Sequence, residues 1–208
     1  MRRREPGYRG QVFEETVTDR LILTPIASAD ARTVDAIFAL QSDPATWAHL
    51  PEAVETDISQ SRARAADHGK SWAEFGLGWW LLRLRAPLGD LDTETVIGIG
   101  GAAIRPHQAA AWNLGYRLTP GAWGHGLATE VGRAGLAAAT AARPDLPVTA
   151  RVLAHNRASW RTLERVGLAQ VWEGDAPADY ALTSGMQRRV YADRALSPEL
   201  CDRLIALG

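Results

Sequence analysis

One cysteine, one lysine and no apolar run of membrane length are what this 208-residue sequence has least of. Cys201 alone cannot close an internal disulfide, so a reducing compartment is expected. The longest apolar stretches, Leu77–Leu82 and Gly135–Ala142, fall far short of the roughly 18 residues that cross a bilayer, which predicts no membrane partner. The opening Met1-Arg2-Arg3-Arg4 is basic, yet no apolar stretch follows it, so a solvated arm is expected rather than a secretory signal. These readings together predict a soluble cytoplasmic protein. Nor does one sign of charge dominate. Lys and Arg total 23 against 24 Asp and Glu, a net charge of −1, which argues against broad electrostatic capture of nucleic acid.

What is present is ordinary for a globular domain: 46% hydrophobic and 23% charged residues, in a length that suits one core. Residues Arg20–Ile26 read as a short strand. Ser28 or Asp30 then caps a helix to about Ser42, stopped by Asp43-Pro44. A second helix is expected from Thr56 or Asp57 to His68, ending at Gly69. Phe75–Leu84 and Thr95–Ile104, joined through the turn at Asp90–Thr93, predict an antiparallel hairpin, and Trp112–Leu118 a third strand. A long helix follows over Gly124–Ala142, its buried stripe being Leu127, Val131, Ala134, Gly135 and Ala138. Val148–Leu153 reads as a strand, and Asn156 as the cap of a helix closed by Gly167. Strands near Leu168–Glu173 and Gln187–Ala192 and a helix opened by Ser197-Pro198 complete a mixed α/β sheet.

The most informative stretch runs from the Trp112–Leu118 strand through Gly121-Ala-Trp123-Gly124-His125-Gly126 into a helix. The first backbone N–H groups of a helix lack internal partners and carry the positive end of its dipole. Glycines let a ligand approach that bare backbone, so the turn suits a phosphate or diphosphate. No Lys-Ser or Lys-Thr follows the last glycine, so it is not a Walker loop. Asn156-Arg-Ala-Ser159 lies 32 residues beyond Gly124, about one strand–helix–strand unit. If the two strands are parallel neighbours, both helix N-termini open on one crevice.

These two segments together resemble the GNAT superfamily of acyl-CoA-dependent N-acetyltransferases, and within it most the ribosomal-protein N-terminal alanine acetyltransferases. Leu114-Gly-Tyr-Arg-Leu-Thr-Pro followed by Trp123-Gly-His-Gly-Leu-Ala-Thr-Glu130 is similar to that group's acetyl-CoA signature. Asn156-x-x-Ser159 with Leu163-Glu164 and Gly167-Leu168 is similar to its next motif, and Thr18-Asp-Arg-Leu-Ile-Leu-Thr-Pro25 to its first strand. The resemblance implies the GNAT fold: an antiparallel meander, then strand-helix-strand-helix with a central parallel pair. It divides the chain into an arm (1–17), an acetyltransferase domain (18–194) and a C-terminal helix (195–208). It implies that Trp123, Gly124, His125, Gly126, Leu127, Ala128 and Thr129 hold the diphosphate of acetyl-CoA, a co-substrate, with no metal. Leu118 and Thr119 would pair with the pantetheine arm, Asn156 would hold pantetheine or the acetyl end, and Ser159 would lie near sulfur and protonate the departing thiolate.

Three positions depart from the family pattern. Gly121 stands where an Arg or Gln is usual, Leu163 where the wider superfamily has a tyrosine, and Asn113 where some relatives carry a glutamate. The general base is thus unassigned. Glu130, Glu173, Asp175 and Asp179 are candidate carboxylates, and His125 and His155 flank the motifs. A free α-amine titrates near 7.7–8.0 and a lysine near 10.4, a gap worth roughly 3.4 kcal/mol, so a weak base suffices for the former. The expected acceptor is therefore a primary amine, best a protein N-terminus. The alternatives are a small-molecule amine or antibiotic, or a non-catalytic acyl-CoA-binding module. Trp47, Trp72, Trp79 and Trp80, with Asp43, Glu52, Glu55 and Asp57 nearby, are candidates to line the acceptor cleft and receive a cation; the alternative is that most of these tryptophans are core, as at least one of the adjacent Trp79 and Trp80 must be. The terminal helix admits packing on the domain or a homodimer.

Overall fold

The computed structural model describes residues 13–104, 111–178 and 180–207. The basic start and Asp179 lie outside the described residues. Strands β1 (Thr16–Val17) and β2 (Leu21–Pro25) lead into helix α1 (Ala31–Gln41). The Asp30 carboxylate caps α1 by accepting from the Thr33 N–H at 3.0 Å. Helix α2 (Ile58–Phe75) opens with a capping box between Asp57 and Gln60. It runs straight through Gly69, where the sequence predicts its end, and stops instead at Gly76, whose φ of 71° makes the left-handed cap. Gly69 has another use: a Cβ there would lie 2.9 Å from the Ala27 carbonyl oxygen, so the glycine lets the helix cross the chain closely.

The remaining elements are β3 (Trp79–Leu84), β4 (Gly98–Ala103), β5 (Trp112–Leu118), α3 (Leu127–Ala142), β6 (Val148–Leu153), α4 (Arg157–Val166), β7 (Ala169–Asp175), β8 (Gln187–Ala192) and α5 (Pro198–Ala206). They form one sheet in the order β1-β2-β3-β4-β5-β6-β8-β7. Every neighbouring pair is antiparallel except β5–β6, the parallel pair that the resemblance implies.

Strand alternation divides the core between two faces. On one, Trp79, Ile99 and Ala103 pack under α1 and α2 with Val34, Ile37, Leu40 and Ala65. On the other, Trp80, Leu82, Ala102, Trp112 and Leu114 pack with Leu127 and Val131 of α3 and Leu163 and Val166 of α4. Each fully buried leucine or valine contributes about 1.5–3 kcal/mol by removal from water. Helix α3 buries Leu127, Val131, Gly132, Gly135 and Ala139, while Ala134 and Ala138 are only partly covered. The stripe shifts because the two glycines press against neighbours: a Cβ on Gly135 would meet Leu114 at 2.8 Å, and one on Gly132 would meet Val166 at 2.6 Å. Helix α5 folds back on the first face, where Leu200 and Leu204 join Val190 of β8. Among the described residues no helix is long and apolar enough to cross a membrane.

Candidate active site

The parallel pair β5–β6 holds register only at Trp112–Val148 and Asn113–Thr149. Beyond these two rungs the strands part, while β6 keeps five register pairs with β8 on its other side. A cleft of about 1050 Å³ occupies the gap, at the upper end of small-molecule sites. Leu114–Leu118 form one wall, Asn156, Ser159 and Thr162 another, and Trp123, Gly124, Gly126, Leu127, Ala128 and Thr129 the mouth.

The mouth is built as the glycine turn predicts. Helices α1, α2, α4 and α5 each have a side chain accepting from a first-turn N–H, but α3 starts at Gly126 (φ 77°) with no side-chain cap. The N–H groups of Leu127 and Ala128 therefore have no partner from their own helix, whereas the Thr129 N–H donates to the Gly126 carbonyl at 3.1 Å. Gly124 also has positive φ, 80°. The turn is clasped from outside. The Glu130 carboxylate accepts from the Thr18 hydroxyl (2.6 Å), the Arg20 backbone N–H (2.8 Å) and the Arg20 guanidinium (2.7 Å), while Arg20 also donates to the His125 carbonyl (2.7 Å). Burial raises the Glu130 pKa, but these donors outweigh it and hold the group below its ordinary value. Glu130 is a structural anchor rather than a base.

Two of the predicted contact residues are set back from the cleft surface. His125 and Thr119 are not part of the described cleft lining. The Thr119 N–H donates to the Ile97 carbonyl (2.8 Å), and the Leu118 carbonyl accepts from the Trp123 indole (2.9 Å). Antiparallel alternation then turns the N–H and C=O groups of Leu114, Tyr116 and Leu118 to the open side of β5. The open edge of β5 thus runs over Leu114–Leu118, with the Leu118 carbonyl already taken by Trp123.

Asn156 caps α4, its side-chain oxygen accepting from the Ser159 N–H at 3.2 Å. Its amide NH₂ keeps donors for the cleft. Ser159 lines the cleft, with its hydroxyl 3.4 Å from the Tyr116 hydroxyl. Tyr116, which sequence reasoning passes over, donates to the Ser159 carbonyl at 2.8 Å and so bridges β5 to the start of α4. Burial pushes its pKa up to about 12, against weaker lowering by Ser159 and Thr162, so the phenol stays a donor. The signal was a tyrosine on the core-facing alternation of a strand, which needs a polar partner.

A further wall comes from residues 44–53, two short 3-10 turns between α1 and α2, which contribute Thr46, Ala48, His49 and Leu50. His49 is half-buried there, and its carbonyl accepts from the ring Nε2–H of His155 (2.7 Å), tying the wall to the α4 entry. Burial, then the charges of Arg117 and His155, depress its pKa to about 4. The expected aromatic cage is otherwise arranged. The Arg117 guanidinium lies 3.3 Å from the Trp47 ring centroid, so that face already holds a cation. Trp72 and Trp80 are core, and only Trp79 of the four lines the cleft. Asp43 and Asp57 are caps, and Glu55 is buried against Ser61 and Arg64. Of the other candidate bases, Glu173 pairs with Arg189 and Asp175 accepts from Gln187, both outside the cleft lining. Among the described residues no group of three or more His, Cys, Asp or Glu could hold a metal ion.

Comparison with known proteins agrees with this fold. In fold the chain is similar to a GNAT-family acetyltransferase of Bordetella pertussis (20% identity, TM-score 0.68, covering 87% of this chain and 99% of that one). It is likewise similar to RimL, a ribosomal L7/L12 alpha-N-protein acetyltransferase in complex with coenzyme A (20%, TM-score 0.64, 86% and 97%). A third similar structure is the microcin C7 self-immunity acetyltransferase MccE in complex with acetyl-CoA and AMP (14%, TM-score 0.62, 86% and 94%). The acetyltransferase (GNAT) domain matches residues 20–169, well over half of the sequence, and the chain therefore belongs to the GNAT acetyltransferase family.

Proposed function

We propose that this acetyltransferase moves an acetyl group from acetyl-CoA to a primary amine, and that the amine is a protein N-terminus. The observation that carries the reading is the two-rung β5–β6 pair, which opens on a cleft whose mouth is the uncapped start of α3. The residues fit the donor. Amides at 126–129 suit a diphosphate, exposed Arg161 and Arg165 on α4 add positive charge beside them, and the open edge of β5 offers amide pairing to pantetheine. When bound, acetyl-CoA supplies an activated acyl group on a thioester. Ser159 would donate a proton to the departing sulfur, while Asn156 would hold the arm that carries it. On the acceptor side His49, its pKa lowered to about 4, is neutral at pH 7 and suits accepting a hydrogen bond from the amine, and an α-amine is already partly deprotonated at that pH.

Replacing Ser159 by Ala tests the assignment. Turnover should fall about 100-fold or more, the span of general acid catalysis. Calorimetric affinity for acetyl-CoA should stay within about twofold, since the hydroxyl acts only late in the reaction. Unchanged turnover would remove Ser159 from the chemistry. Peptides starting with Ala or Ser, run against polyamines and aminoglycosides, test the acceptor.

A further inference from the structure

Three adjacent strands each turn an arginine into the cleft: Arg117 from β5, Arg151 from β6 and Arg188 from β8. Register places all three on one sheet face. Asn113 is level with Thr149, so Arg117 and Arg151, even steps further along, share that side, and Arg151 lies opposite Val190, two residues from Arg188. This is the face covered by α1, α2 and α5, away from α3 and α4, so these cations do not serve the diphosphate mouth.

Arg117 is held rigidly. Its Nη1–H donates to the Thr46 carbonyl at 2.6 Å and its plane lies on Trp47. The guanidinium fork has five N–H donors, so further donors remain beyond that bond. Arg188 is fixed by the carbonyls of Ile205 and Leu207 at the end of α5. The nearby acid, Glu55, is 3% exposed and already holds Ser61 and Arg64. No Asp or Glu lines the cleft among the described residues. Burial, then the charge of Arg64, lowers the Arg117 pKa to about 9 despite Glu55. A positive charge held in that condition gains most from an incoming anion.

We propose that the acceptor is an anionic peptide end: an α-amine followed at its second and third residues by carboxylates that seat against Arg117. The proposal rests on the α-amine reading above. Arg117 is here a specificity-determining residue, selecting among amines by the charge behind them and taking no part in proton transfer.

The test compares acetyl-CoA consumption with Ser-Asp-Glu-, Ser-Gln-Gln- and Ser-Lys-Lys- peptides of equal length, and with spermidine, for the wild type and Arg117→Gln. The acidic peptide should exceed the basic one in kcat/KM by about 10- to 100-fold, the span of a charge-assisted hydrogen bond. The ratio should shrink with added salt. In Arg117→Gln it should collapse toward unity through KM. Because the readout is a ratio between substrates, partial loss of folded enzyme leaves it interpretable, and if the variant does not fold, the wild-type ratio and its salt dependence decide. Equal turnover of acidic and basic peptides overturns this inference and leaves the α-amine reading standing. Turnover of spermidine with none of any peptide removes the α-amine reading itself.

Discussion

At the scale of single residues, Tyr116 and His49 show how burial sets chemistry. The Tyr116 phenol lies between β5 and the first turn of α4, and its donation to the Ser159 carbonyl fixes the residue that faces the cleft. Tyr116→Phe keeps the ring and removes that bond. It should cost about 1 kcal/mol in stability and lower kcat about tenfold, leaving KM for acetyl-CoA nearly unchanged. Melting curves with steady-state kinetics check this, and a rise in KM with kcat intact would assign Tyr116 to donor binding instead. His49 predicts a pH effect. Its folded pKa of about 4 lies below the ordinary 6.5, so between these values the unfolded chain takes up a proton that the folded chain refuses. Stability should therefore fall as pH drops from 6.5 to 4. For a half-buried, solvent-screened ring the loss is about 1 kcal/mol, or about 2–4 °C in Tm. His49→Gln should flatten that part of the acid slope, and an identical slope in both proteins would place the titrating group elsewhere. Neither residue was equally legible in the sequence. Tyr116 sits on a readable alternation with Leu114 and Leu118, whereas His49 acquires its role only when a distant strand brings Arg117 beside it.

At the scale of elements, the glycine turn before α3 was legible because its demands are local. A helix start that meets a ligand with bare backbone needs glycine, and Gly124 and Gly126 both adopt positive φ. Gly126→Ala would meet no neighbour nearer than Arg20 Nη2 at 3.7 Å, so the penalty is conformational, about 1–2 kcal/mol. Relaxation of that strain should tilt the first N–H groups of α3, and acetyl-CoA affinity by calorimetry should drop about tenfold with the melting temperature lowered by a few degrees. Wild-type affinity in the variant would show that the amides do not grip the diphosphate. The end of α2 was not legible in the same way. Gly69 looks like a stop, yet its role is a close crossing with Ala27, a tertiary demand invisible from neighbours in sequence. The parting of β5 from β6 is similar: both strands are evident, but the number of rungs is fixed only in the assembled sheet, where β6 also pairs with β8.

At the scale of the whole molecule, a net charge of −1 conceals how the charges are placed. Among the described residues five arginines line the cleft, while the acids stand outside it as caps, clasps and surface pairs. A sum over composition cannot show this, because charge is sorted only when strands and helices are assembled. On one sheet face the turns after α1 contribute Thr46, Ala48, His49 and Leu50 to the cleft lining and β8 contributes Arg188, which under the proposed function is the acceptor side. Helix α5 is therefore more than a terminal appendage. Its last carbonyls hold Arg188, and a cation at a helix C-terminus is favoured by the dipole. Leu204, 4% exposed, anchors the helix on Val190. Leu204→Ala should cost about 2–4 kcal/mol through lost burial and a cavity, part of it recovered as the helix shifts. That shift carries Arg188 with it. The KM for the acceptor should then rise several-fold while acetyl-CoA affinity, which the proposed donor site at α3 and α4 would set from the other face, stays constant. If donor affinity falls together with acceptor affinity, α5 supports the sheet as a whole and does not act on the acceptor side through Arg188.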